Sequence, residues 1–178
     1  MSASTALWLA LAVLVVVAAT TGGVMYAQNA EDAANEKLWH PLIAQTEVQH
    51  AIPAGLLERQ LYQESHFRTD IITGATVSRT GAQGIAQFEP ATARQYGINP
   101  LDPNQAIPAA GDMLASLHRR FGSWALALAS YDWGQGDVAR WIANGSAPSE
   151  LPPETAAYVA EITAAVPGTA DYPPLAAA

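Results

Sequence analysis

The chain has 178 residues, half of them apolar and 13% charged, with 16 acidic side chains against 8 basic ones and no cysteine. This length predicts a single domain. The net charge of -8 argues against binding to nucleic acid or to anionic headgroups. The lack of cysteine excludes a disulfide framework, a thiolate metal site and a cysteine nucleophile.

Residues 6–27 form an uncharged, mostly apolar stretch. A helix needs about 20 residues to cross a bilayer, and Trp8 and Tyr26 lie near the two ends, where aromatic rings favour the headgroup level. A cleaved signal peptide, ending at the small residues Ala18 and Ala19, and a buried core helix are the alternatives. No Lys or Arg precedes the apolar run, which argues against a signal peptide. We therefore predict a transmembrane anchor in residues 1–27, followed by a polar tether in residues 28–38.

Residues 39–165 are typical of a compact, mostly α-helical domain of the α+β kind. Pro41 is placed to start a helix that ends near His50, and Pro53 to start another that ends near Ser65. Gly, Thr, Ser and β-branched residues then predict a small β or loop segment up to residue 87. Further helices are predicted at residues 90–96, 105–121, 124–131, 137–143 and 153–162. The Pro- and Ala-rich residues 166–178 predict a flexible tail.

The helix before residue 65 carries a carboxyl group on its apolar face. Leu57, Leu61 and Glu64 are spaced i, i+4 and i+7, so they share one side of the helix. A carboxyl group on such a face is costly unless it is paired, neutral or open to a cleft. Burial raises its pKa, as a proton donor near neutral pH requires. Periodicity alone favours the simpler alternative, in which Glu64 turns to solvent or pairs with Arg68.

Four segments, in this order, resemble the catalytic domain of the soluble lytic transglycosylases. They are QES at residues 63–65, GAQGIAQF at 81–88 with PATA at 90–93, ALASYDWG at 127–134, and ETAAYV at 154–159. The resemblance covers about residues 40–163. It implies a lysozyme-like fold that cleaves the β-1,4 bond between N-acetylmuramic acid and N-acetylglucosamine in peptidoglycan.

The single catalytic glutamate of that family maps to Glu64. As an acid it would protonate the glycosidic oxygen, and as a base it would then take the proton of the muramyl C6 hydroxyl, which closes onto C1 as a 1,6-anhydro ring. Because the nucleophile belongs to the substrate, the second carboxylate of ordinary glycosidases is unnecessary. The resemblance implies no cofactor, and the four histidines have no metal-ligand spacing.

The resemblance also implies a set of substrate-binding residues. Ser78 matches a serine that lines the cleft, and Gly84 and Gln87 match the family's Gly-Leu-Met-Gln segment. Tyr131 and Tyr158 match two family tyrosines, the second of them near the catalytic glutamate. For both tyrosines the alternative is a core aromatic residue with a satisfied hydroxyl.

Two neighbouring residues depart from the family pattern. Trp133 stands where Ala is usual and is either a platform for sugar stacking or a larger core side chain. Asp132 stands where Asn is usual. A carboxylate facing Glu64 would disfavour its ionisation and could orient a water molecule, which keeps hydrolysis, the outcome in goose-type lysozymes, open as an alternative.

Together these observations predict a lytic transglycosylase held at a membrane, with its catalytic domain facing peptidoglycan. The setting would be the periplasmic side of a bacterial inner membrane or a phage virion membrane. Expected partners are glycan strands, membrane lipid through the N-terminal helix, and envelope or virion proteins. A noncatalytic wall-binding component that keeps the fold is the alternative from a different class.

Overall fold

The computed structural model describes residues 30–172. The anchor predicted in residues 1–27 lies outside this range. Within the described range, no helix is both long and apolar enough to cross a membrane.

Helices make up nearly all of the regular structure in residues 30–172. The first, α1, covers residues 30–50. It is followed by α2 (Leu56–Ser65), α3 (Thr69–Ile72), α4 (Pro90–Tyr96), α5 (Pro103–Phe121), α6 (Trp124–Ala129), a π-helix (Ser130–Gly134), α7 (Gln135–Ala143), a 3-10 turn (Pro148–Glu150) and α8 (Pro153–Ala164). The β structure of the described residues is one isolated bridge between Gln83 and Phe88. The mostly helical domain is confirmed. The expected β or loop segment contains the short helix α3 and, as its β structure, this one bridge.

Helix α1 corrects two expectations. Pro41 lies inside α1 and does not start it, so residues 30–38 are helical where the sequence predicts a tether. An internal proline costs about 3 kcal/mol because it removes a backbone hydrogen bond and its ring clashes with the preceding turn. Contacts made by the part of α1 before Pro41 offset part of this cost: Asn35 Nδ2 donates to Phe67 O at 2.9 Å and to Thr69 Oγ1 at 3.0 Å.

The core is centred on α6. Its sequence, WALALA, is apolar around nearly the whole helix, which is typical of a helix buried on all sides. Residues 125–129 are all buried, and α6 packs against both α5 and α8. Helix α2 lies against α8 and presents Leu57 and Leu61, both fully buried. This packing places the C-terminal end of α2 next to α8.

The chain after α8 is attached to the domain, at least as far as residue 172. The Asp171 carboxylate accepts hydrogen bonds from Ser123 Oγ at 2.6 Å and from the backbone amides of Trp124 and Ala125. Tyr172 shares a hydrogen bond of 2.7 Å with Ser146. The expected flexible tail is therefore corrected for residues 166–172, because Asp171 caps the N-terminus of α6. Residues 173–178 lie outside the described range.

Candidate active site

A cleft of about 490 Å³ is open to solvent beside the C-terminal end of α2. The loop before α4, the middle of α5 and the π-helix form its other sides. Six of the eight predicted site residues line it: Glu64, Ser78, Gln87, Tyr131, Asp132 and Trp133. Tyr158 and Gly84 do not line it, but each contacts a residue that does.

Glu64 lines this cleft from the last turn of α2. Tyr158 Oη, from α8, donates a hydrogen bond of 2.6 Å to Glu64 Oε1. Burial raises the pKa of Glu64 to about 8, the hydrogen bond from Tyr158 opposes this rise, and the charge of Asp132 adds to it. Arg68 pairs with Asp70 at 2.7 Å and not with Glu64. The site therefore holds a carboxyl group that carries its proton at neutral pH.

The two predicted tyrosines hold the walls of the cleft in place. Tyr131 Oη donates to the Ala86 carbonyl at 2.8 Å, which joins the π-helix to the loop before α4. Tyr158 joins α8 to the C-terminal end of α2. Burial is the main reason that the pKa of each phenol lies above its ordinary value, so both phenols remain hydrogen-bond donors across the neutral range.

Three of the predicted residues share the π-helix. The sequence predicts an α-helix up to Tyr131, but α6 ends at Ala129 and Ser130–Gly134 forms a π-turn. Such turns occur often at functional sites. Here the turn places Asp132 and Trp133 on the cleft, and Trp133 also packs against the core. The two interpretations of Trp133, sugar platform and core side chain, are therefore compatible.

Asp132 is exposed at the cleft surface, and a hydroxyl group of α8 binds its carboxyl group. Thr155 Oγ1, a fully buried hydroxyl on α8, donates to Asp132 Oδ2 at 2.6 Å. Although the residue as a whole is exposed, partial burial of its carboxyl group raises the pKa of Asp132, the Thr155 hydrogen bond lowers it and the charge of Glu154 raises it further. The charge of Asp132 in turn raises the pKa of Glu64.

The loop before α4 is ordered by its own polar groups. Ser78 Oγ accepts the Ala82 amide at 2.8 Å, and Gln87 Nε2 donates to the Gly84 carbonyl at 2.9 Å. Gly84 has φ of +75°, and any Cβ there would collide with the Pro100 carbonyl. Gly84 therefore allows a close approach of two backbone segments, away from the cleft, while Ser78 and Gln87 both order the loop and line the cleft.

Several cleft residues were not singled out from the sequence. Met113 and Leu117 of α5 have the i, i+4 spacing that is equally typical of a core face. The others are Thr80, Ala82, Phe88, Glu89, Thr92, Ser130, Gly134 and Gln135. Glu89 and Gln135 directly follow predicted motif segments, and this adjacency is the signal that could have identified them. No group of three side chains suited to a metal ion occurs in residues 30–172.

Comparisons with known proteins agree with this geometry. Residues 41–151 match the family model described as Transglycosylase SLT domain. A membrane-bound lytic murein transglycosylase F 2 of Alkalilimnicola ehrlichii is 36% identical over 110 residues, which are 56% of this chain and 23% of that protein. A membrane-bound lytic murein transglycosylase F of Alteromonas mediterranea is 36% identical over 92 residues, or 47% of this chain and 19% of that protein.

A solved structure shares the fold. The 70 kDa soluble lytic transglycosylase of Escherichia coli superposes with a TM-score of 0.61 at 23% identity, over 78% of this chain and 28% of that one. The chain thus spans about a quarter or less of the length of the curated relatives it matches.

Proposed function

The chain belongs to the transglycosylase SLT domain family, and on that premise we propose that it cleaves the β-1,4 bond between N-acetylmuramic acid and N-acetylglucosamine in peptidoglycan. The product would carry 1,6-anhydromuramic ends. The observation that carries this proposal is the Glu64 carboxyl group, which lines a cleft of about 490 Å³ and has its pKa raised to about 8.

The chemistry needs one group that first gives and then takes a proton. Protonated Glu64 donates to the glycosidic oxygen, the bond from that oxygen to C1 breaks, and the N-acetylglucosamine side leaves as an alcohol. The muramyl C6 oxygen then bonds to C1 and passes its proton back to Glu64. No water is consumed, and a pKa near 8 suits a group that must serve as both acid and base at neutral pH.

Substitution of Glu64 by Gln tests the proposal. Glu64→Gln keeps the shape of the side chain but removes the transferable proton, so we expect release of soluble muropeptides to fall at least about a hundredfold. Glu58→Gln makes the same chemical change on the same helix, at a carboxylate that pairs with His40 outside the cleft, and should stay active. Wall lysis by Glu64→Gln at the wild-type rate would support the noncatalytic wall-binding alternative instead.

Asp132 gives a reason to consider hydrolysis as a second candidate. Its carboxylate lies on the cleft and its charge raises the pKa of Glu64, so it could orient a water molecule toward C1. Mass spectrometry of the released muropeptides distinguishes the two reactions, since hydrolysis adds one water at the muramyl end for each bond cleaved. Anhydro ends support transglycosylation, whereas reducing ends would show that the enzyme is a muramidase.

For the cellular setting we propose that residues 1–27 hold the enzyme at a membrane and that its domain faces the wall. The uncharged stretch of residues 6–27 and the relatives named membrane-bound support this proposal. A role in opening the wall for an envelope-spanning machine or for phage genome entry is its extension, because both need local cleavage by an enzyme held in place.

A further inference from the structure

Helix α2 carries a second polar side chain on its buried face. Gln60 is fully buried, and neither its Nε2 nor its Oε1 has a hydrogen-bond partner within residues 30–172. No other side chain in that range has a buried polar atom left unpaired. Because an unpaired buried amide lowers stability, its presence calls for an explanation other than folding.

The position of Gln60 beside Glu64 supplies an explanation for this unpaired amide. It lies one helical turn before Glu64, on the stripe that also holds Leu57 and Leu61. Side chains four residues apart on a helix are neighbours. Helical side chains also lean toward the N-terminus, so we expect the Glu64 side chain to lean toward the turn that contains Gln60.

The Glu64 carboxyl has room for another donor. Its Oε1 accepts from Tyr158, and within residues 30–172 Oε2 takes part in no hydrogen bond. The Gln60 side chain has three rotatable bonds, enough to turn its Nε2 toward that oxygen. An unused donor and an unused acceptor thus lie on adjacent turns of one helix face.

We propose that Gln60 is a positioning residue whose Nε2 donates to Glu64 Oε2 when Glu64 loses its proton during the reaction. This inference rests on the proposed function. While Glu64 is protonated, a hydrogen bond from the Gln60 amide to it contributes little. Once the proton passes to the glycosidic oxygen, a carboxylate forms in a mostly buried site and the hydrogen bond becomes stronger. A hydrogen bond that strengthens only as this charge develops lowers the barrier without tightening substrate binding.

Gln60→Met tests the inference, because methionine keeps the length of the side chain and removes the amide. We expect thermal stability to rise, kcat to fall about tenfold or more, and KM to change less than about twofold. The alkaline limb of the activity profile should move to higher pH, since the Glu64 carboxylate loses a donor. Leu61→Met, the matched control, places the same side chain at the next buried position and should leave kcat and the pH profile unchanged.

A second measurement separates this inference from the proposed function. The Glu64 carboxyl carbon can be titrated by carbon-13 NMR in the wild type and in Gln60→Met, without any turnover. A higher midpoint in the variant supports the hydrogen bond from Gln60 to ionised Glu64, whereas a fully lytic Glu64→Gln would overturn the proposed function and with it the role of that bond in catalysis. An unchanged midpoint overturns the inference, even if stability rises. If Gln60→Met does not fold, Gln60→Leu serves for the same titration.

Discussion

At the scale of single residues, the site depends on what surrounds one carboxyl group. Two neighbours act on the Glu64 pKa in opposite directions: Tyr158 donates a hydrogen bond that favours the ionised form, and the charge of Asp132 disfavours it. Burial is the largest effect and, together with the charge of Asp132, outweighs the Tyr158 hydrogen bond, so the net pKa is about 8. Since the reaction begins from the protonated acid, kcat/KM should fall as pH rises past this value.

Removing each of the two neighbours should therefore shift the alkaline limb of the kcat/KM profile in opposite directions. Asp132→Asn removes a negative charge, so the limb should move to lower pH by roughly half a unit. Tyr158→Phe removes a donor to the carboxylate, so the limb should move to higher pH by a similar amount. The measurement is kcat/KM for soluble glycan fragments as a function of pH. Shifts of the same sign in both variants would contradict the assignment of Glu64 as the titrating acid.

The raised pKa also predicts a cost in stability. An unfolded glutamate has a pKa of about 4.5, so between that pH and about 8 the folded state binds a proton that the unfolded state releases. The stabilisation associated with the protonated form is complete below about pH 4.5 and is lost as pH rises toward 8. Gln at this position does not ionise and avoids the loss.

Glu64→Gln should therefore melt above the wild type by an increasing margin across this range, reaching about 5 °C or more at pH 8 and staying constant beyond it. Thermal unfolding at several pH values measures the margin. Glu58→Gln provides the baseline for a carboxylate outside the cleft. A margin that did not change between pH 4.5 and 8 would show that the Glu64 pKa is ordinary.

At the scale of the elements, the helix that carries Glu64 is capped by another helix. Gly55 precedes α2 and offers no side-chain cap. Glu47 of α1, only 5% exposed, accepts the Gly55 amide at 2.9 Å and the Leu57 amide at 2.9 Å with its two oxygens. A carboxylate at a helix N-terminus also interacts favourably with the helix dipole. This contact fixes the start of α2 relative to α1.

Glu47→Ala should accordingly lower the free energy of unfolding by about 3 kcal/mol, because two amides lose a charged acceptor in a mostly buried setting. Glu58→Ala, on α2 itself, removes only the exposed pair with His40 and should cost about 1 kcal/mol or less. Urea titration of both variants gives the comparison. Equal costs would mean that the Glu47 cap contributes no more than a surface ion pair.

The helices whose ends are set by local residues could be predicted from the sequence, and those that depend on distant contacts could not. Helix α4 has the predicted bounds, and α5 and α8 differ from theirs by two residues at one end, because Pro and Gly set helix ends locally. The first half of α1 was not predicted because Asn35 stabilises it through contacts with Phe67 and Thr69. These residues lie 32 and 34 positions further along the chain. Docking of residues 166–172 was missed for the same reason, since Asp171 caps a helix 46 to 48 residues before it.

The candidate site likewise has one part that the sequence predicts and another that depends on how the helices pack. Its acid was located by a motif and a periodicity, both readable along one helix. The partner hydroxyl of Asp132, on Thr155, and the unpaired amide of Gln60 depend on how α2, α8 and the π-helix meet. Nothing in the local pattern distinguishes Gln60 from a solvated glutamine.

For the molecule as a whole, the net charge affects how the domain would reach the wall. All 24 charged side chains lie between residues 31 and 171, with a net charge of -8. Peptidoglycan often carries anionic groups, so long-range electrostatics give this domain no attraction to it. An anchor in residues 1–27 would supply a high local concentration at the wall without that attraction.

Catalysis and localisation should therefore be separable. A chain that begins at Ala30 keeps the Asn35 contacts, so it should match the full-length protein in its melting temperature and in its rate on purified wall fragments, yet lose function in the native setting. An unrelated transmembrane helix in place of residues 1–27 should restore that function. A chain that begins at Trp39 also lacks Asn35 and should melt lower, which separates damage to α1 from loss of the anchor. Loss of activity on purified wall by the Ala30 chain would show that the N-terminal segment belongs to the catalytic domain.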